Sequence, residues 1–150
     1  MQRIGTARMI NVGQQANSRI SIKIDGFNRL IFDKRELKAA IRKGGNVVKT
    51  ESRRLISHRA ISAAGEIPGY KSGVMSRSIK VKIGSGGGYA RIMPTKTPEM
   101  GKDFYPAYLS VGTRRGLKPR KDFMLQALDN KQIQIRAAIS AALLNAIKSA

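Results

Sequence analysis

The chain has 150 residues, 41% hydrophobic and 5% aromatic, and its 29 Lys and Arg against 9 Asp and Glu leave a net charge of +20. That length fits one domain with a modest core, and with no Trp and no Cys the core rests on Ile, Leu, Val, Met and Ala, without disulfides or thiolate metal sites, as suits a reducing cytoplasm. The charge repels itself and attracts polyanions, either nucleic acid or an acidic protein surface; no apolar run approaches the roughly 18 residues of a membrane span, and the first residues lack the apolar stretch of a signal peptide.

Residues 1–19 are polar, carry Arg3, Arg8 and Arg19, and show no clear period, which predicts an N-terminal arm ahead of a single domain over 20–150. From Ile20 the pattern alternates, with Ile20, Ile22 and Ile24 against Ser21, Lys23 and Asp25, a strand closed by an Asp25-Gly26 turn. Asp33 followed by Glu36 has capping-box spacing. The stripe Leu37, Ala40, Ile41, Gly44, Val47, Val48 and Leu55 then predicts a long amphipathic helix that frays near residues 63–65 and stops at Pro68-Gly69. Each Gly of the central Gly44-Gly45 pair costs about 1 kcal/mol relative to Ala; we read the pair as a close packing contact in preference to a kink.

Ile79, Val81 and Ile83 alternate with Lys80 and Lys82 as a half-buried strand. Residues 84–88, Gly-Ser-Gly-Gly-Gly, predict a wide hairpin loop, 89–93 the returning strand, and 94–103 a second loop. Residues 104–111 are expected as the last strand, with Pro106 demoting it to an edge and Gly112 supplying a special backbone angle at its end. A basic loop with Arg114, Arg115, Lys118, Arg120 and Lys121 follows. Met124, Leu128, Ile135, Ile139, Ala142, Leu143, Ala146 and Ile147 then mark a second long helix. The fold class expected is α+β, a small antiparallel sheet of three to four strands packed by two long helices.

Catalytic chemistry finds little footing. His58 is the single histidine, the nine carboxylates are scattered, and no Ser sits in a nucleophile elbow. The glycine cluster lacks the Lys-Ser/Thr ending of a phosphate loop and runs into a strand instead of a helix. The reading is a non-enzyme without cofactor or metal.

The segment Tyr-Pro-Ala-Tyr-Leu-Ser-Val-Gly-Thr at 105–113, the basic loop after it and the terminal helix resemble the small phage morphogenesis proteins that join tail to head. These are the neck or tail-completion proteins of the gene-product-ten-like group of lambdoid long-tailed phages. Pro68, Ser72-Gly73 and Ser78-Ile79 occupy the places of that family's proline, Thr/Ser-Gly step and Ser-Ile turn after a long helix. The resemblance covers about residues 20–147. Two departures stand out: Ser110-Val111 replaces an acidic residue before the Gly-Thr step, and residues 118–123 form a longer Pro-Phe junction.

The resemblance implies a structural virion protein, assembled in the host cytoplasm, that forms a ring at the head–tail junction around the DNA channel. A hexamer is expected, with a dodecamer as the alternative. The partners implied are a head-closure or connector protein and a tail-terminator protein. Arg114, Arg115, Lys118, Arg120 and Lys121 are the candidate contacts to those partners or, non-specifically, to DNA. The alternative function is a stand-alone basic nucleic-acid-binding protein, which the charge favours and the lack of a helix-turn-helix, zinc-finger or stacking motif opposes.

Overall fold

The computed structural model describes residues 10–15, 19–24, 34–56, 62–70, 72–102 and 104–148. The chain is an α+β protein. In chain order it has strands β1 (Ile10–Gln15) and β2 (Arg19–Ile24), helices α1 (Lys34–Leu55) and α2 (Val74–Ser78), strands β3 (Ile79–Ile83) and β4 (Tyr89–Pro94), and helices α3 (Tyr105–Val111) and α4 (Phe123–Lys148). The strands pair antiparallel in the order β1-β2-β4-β3.

The β3–β4 hairpin shows the alternation that the sequence displays. Ile79, Ala90 and Ile92 are fully buried, whereas Lys80, Lys82, Tyr89 and Arg91 are exposed. The register pairs Val81 with Ile92 on the buried face, and on the other face Lys82 with Arg91 and Lys80 with the half-buried Met93. The connection is the five-residue loop expected at 84–88, and its backbone is tied down. Gly84 N–H donates to Tyr89 O at 2.9 Å and Gly87 N–H to Gly84 O at 2.9 Å, and a side chain at Gly84 would collide with the Tyr89 ring.

Both long helices lie on the apolar face. α1 packs against β3 and β4, while α4 runs along α1 and reaches β2. One cluster joins Leu37, Ile41 and Val48 of α1, Ile79 and Ile92 of the sheet, and Met124, Leu128, Ile135 and Ile139 of α4. Val47, Leu55 and Leu143 pack at its margin. The Gly44-Gly45 pair is a packing contact in two directions. A Cβ at Gly44 would stand 2.7 Å from Ile139 Cδ1, and one at Gly45 would stand 2.7 Å from Val81 Cγ1. Successive residues point about 100° apart around a helix, so the two glycines let α1 approach α4 and the sheet at once.

Three expectations change. Residues 105–111 form the short helix α3, not a strand. Pro106 lies in its first turn, where the missing N–H is no loss and the fixed φ suits a helix. Tyr105 and Leu109, one turn apart, face the core, and Gly112 at φ 82° ends the helix instead of a strand. Secondly, residues 10–15 inside the predicted arm pair in register with β2. Thirdly, α1 ends at Leu55, short of the fraying point expected near 63–65, where residues 63–66 form a turn closed by Glu66 N–H to Ala63 O at 3.2 Å. Asp25-Gly26, Asp33 and His58 lie outside the described residues.

Candidate interaction surface

The basic loop is built between two helix ends. Gly112 N–H donates to Tyr108 O at 2.8 Å, closing α3. At the other end Asp122 Oδ1 accepts from the N–H groups of Met124 at 3.0 Å and Leu125 at 3.1 Å. Asp122 therefore caps α4, placing a negative charge where the helix dipole is positive. That cap gives a structural role to the acidic residue in the lengthened Pro-Phe junction.

Between these ends the backbone is tied down. Thr113 N–H donates to Leu117 O at 2.9 Å, Arg120 N–H to Leu109 O at 2.8 Å and Lys121 N–H to Glu66 O at 2.9 Å, while Gly65 N–H donates to Pro119 O at 3.0 Å. The turn at residues 63–66 thus grips the loop from the far side of the chain. A Cβ at Gly112 would meet Leu117 O at 2.7 Å, so both the positive φ and the close carbonyl require glycine there.

Of the five candidate residues, Arg114, Arg115, Lys118 and Lys121 are exposed and point their charge at solvent. Arg120 differs. It is half-buried, its Nε has no hydrogen-bond partner, and it lines a cavity of about 420 Å³ with Ile56, Met75, Met100, Tyr105 and Leu109. Burial holds the Tyr105 hydroxyl above the ordinary tyrosine range. Tyr105 packs on the core, whereas Tyr108 is 44% exposed.

Acidic residues are spent on structure. Glu51, 4% exposed, accepts from Arg54 at 2.7 and 2.9 Å and from Asn130 of α4 at 3.3 Å. The Arg54 hydrogen bonds hold its carboxyl at about 2, against the desolvation that pushes the other way. Arg77 pairs with Glu99 at 3.1 Å, and Glu66 Oε2 accepts from Ala63 N–H at 2.9 Å. Among the described residues no group of three or more His, Asp or Glu is placed to hold a metal ion, and no helix is long and apolar enough to cross a membrane.

The sequence reading of basic contacts stopped at the loop. It missed that Lys80 and Lys82 share an exposed sheet face with Arg91, because Arg91 joins them only through strand register. Alternation in β3 alone carries half of that signal. Compared with protein families, curated proteins and solved structures, the chain shows no match.

Proposed function

We propose that the chain is a structural protein of a phage neck, forming a ring that joins tail to head around the DNA channel. The observation that carries this reading is the order of its joints. Ser72-Gly73 precedes α2, Ser78-Ile79 leads into β3, and Gly112-Thr113 leads into a tethered basic loop and the capped helix α4. These are the segments on which the family resemblance rests. Four exposed cations on an ordered loop suit contact with an acidic ring surface or with passing DNA, since neither needs base-reading geometry.

Closed rings use two different patches per subunit. A hexamer matching the tail tube is the favoured copy number and a dodecamer the alternative, with a head-closure protein on one side and a tail terminator on the other. A reconstruction of the virion neck with symmetry relaxed tests this. A closed ring of this chain at the head–tail junction is the expected result; a single copy, or none, overturns it. The exposed cations also favour a second reading, a stand-alone nucleic-acid-binding protein. That reading gains if particles assemble normally without the chain.

A further inference from the structure

The β3–β4 hairpin has one face against the helices and one exposed to solvent. On the open face of the β3–β4 hairpin stand Lys80, Lys82, Tyr89 and Arg91, all exposed. Lys82 and Arg91 are direct cross-strand partners, an arrangement in which like charges repel. Lys80 lies two residues, about 6.7 Å, from Lys82 along the strand. The Arg91 guanidinium sits over the Tyr89 ring at 5.2 Å from its centroid, within cation–π range. Among the described residues no carboxylate pairs with Lys80 or Lys82.

The neighbouring strand continues the pattern at the level of register. Lys23 is the partner of Tyr89 and Ser21 the partner of Arg91. None of the four strand sequences contains an Asp or Glu, while they hold Arg19, Lys23, Lys80, Lys82 and Arg91. The carboxylates that do have partners are engaged elsewhere, in the Glu51–Arg54 pair, the Glu99–Arg77 pair, the turn at Glu66 and the Asp122 cap. Uncompensated cations facing one another across a ladder are a standing repulsion that an external polyanion would relieve.

We infer that this open sheet face, through Lys80, Lys82 and Arg91, binds the sugar–phosphate backbone of duplex nucleic acid. The occupant follows from the chemistry of the face. A protein interface centres on buried apolar or aromatic anchors in pockets, and of the apolar side chains of this hairpin Ile79, Val81, Ile83, Ala90 and Ile92 face the core, which leaves on the open face Met93, half-buried opposite Lys80. Single strands are held by successive stacking aromatics, and Tyr89 is the one aromatic residue of the two strands. What remains is a row of long, flexible cations, which phosphate contact requires and base readout does not. The inference does not depend on the neck reading, because it concerns a surface of the isolated chain.

The test is anisotropy titration of the full-length chain with a short labelled duplex over a range of salt. Three proteins are compared: the unaltered chain, the Lys80→Gln/Lys82→Gln/Arg91→Gln variant, and an Arg114→Gln/Arg115→Gln variant. Each released phosphate contact contributes about 0.9 to the slope of log affinity against log salt. The sheet variant should lose about two to three units of slope and more than about tenfold in affinity, with the loop variant losing less. Circular dichroism and thermal melting confirm that the exposed substitutions leave the fold intact. The charge-preserving Lys80→Arg/Lys82→Arg/Arg91→Lys variant should bind as the unaltered chain does.

Wild-type affinity and slope in the sheet variant overturn the inference, as does failure of the unaltered chain to bind duplex. Stronger binding to polyglutamate or to single-stranded DNA than to duplex overturns it in favour of an acidic protein or a single strand. Ring membership is read from particles and this surface from solution, so one failure leaves the other reading standing.

Discussion

Gly44→Ala would place a methyl group 2.7 Å from Ile139 Cδ1 and 2.8 Å from Ile139 Cγ1, with Ile135 Cγ2 next at 3.5 Å. Optimal carbon contacts lie at about 3.5–4.0 Å, so the first two overlap by roughly an ångström and the third is ordinary. Helix propensity alone would favour Ala by about 1 kcal/mol. Overpacking a filled core costs about 1–3 kcal/mol, and Ile139 is only 2% exposed, leaving it little room to turn aside. The net expectation for Gly44→Ala is a loss of about 0–2 kcal/mol.

The sharper quantity is its coupling to Ile139. Ile139→Ala alone should cost about 2–5 kcal/mol through lost burial and the cavity left. In the double variant the offending atoms are gone and the new methyl occupies part of that cavity. Its cost should then fall below the sum of the single variants by about 1–2 kcal/mol. Urea unfolding of all four proteins, with equal m-values as the check on comparable transitions, measures the cycle. Additivity within about 0.5 kcal/mol would refute the claim that Gly44 exists to admit Ile139.

Other outcomes follow from the same structure. The folded-state pKa of Glu51 is depressed from 4.5 to about 2, so its contribution is present above about pH 4.5 and is lost as pH falls through about 2. With Arg54 67% exposed the pair is screened by solvent, so the contribution is modest. Urea midpoints taken at descending pH should fall less steeply in Glu51→Gln than in the unaltered chain, and parallel curves would remove the carboxylate from the account. Arg114→Ala/Arg115→Ala should shift stability by no more than about 0.5 kcal/mol yet leave heads and tails unjoined in a complementation assay; normal particle yield would reduce these two arginines to solvated charge. Leu128→Ala, at a residue 4% exposed, should cost about 2–5 kcal/mol and lower the thermal midpoint, and an unchanged midpoint would take Leu128 out of the core.

The long helices and the hairpin were legible because each carries a period over enough residues to be unambiguous. Leu37, Ile41 and Val48, and Met124, Leu128, Ile135 and Ile139, repeat over several turns. Even the glycine pair could be read as a contact, since its position on the apolar stripe leaves little other use for it. α3 was not legible for the opposite reason. Seven residues make two turns, Tyr and Val favour strands, and Pro106 is compatible with an edge strand as well as a first helical turn. β1 holds Gly13, Gln14 and Gln15, which offer no alternation to read. At the candidate site, charge density marks the loop from the sequence alone. The inward placement of Arg120, the grip of residues 65–66 on the loop and the joining of Arg91 to Lys80 and Lys82 depend on distant parts of the chain meeting.

Tethering of the basic loop bears on how it would meet a partner. A loose basic tail loses conformational freedom when it binds, and that loss of about 1–2 kcal/mol for each backbone residue fixed subtracts from affinity. Here the freedom of residues 112–122 is surrendered during folding, through bonds to Leu109, Glu66 and Gly65 and through the Asp122 cap. The exposed cations then retain mainly side-chain motion. Such a surface recognises spacing as well as charge: a partner whose anions match the fixed arrangement gains more than one of equal charge that does not. For a protein that carries +20 and so attracts any polyanion, rigidity of this kind separates a specific contact from indiscriminate adhesion.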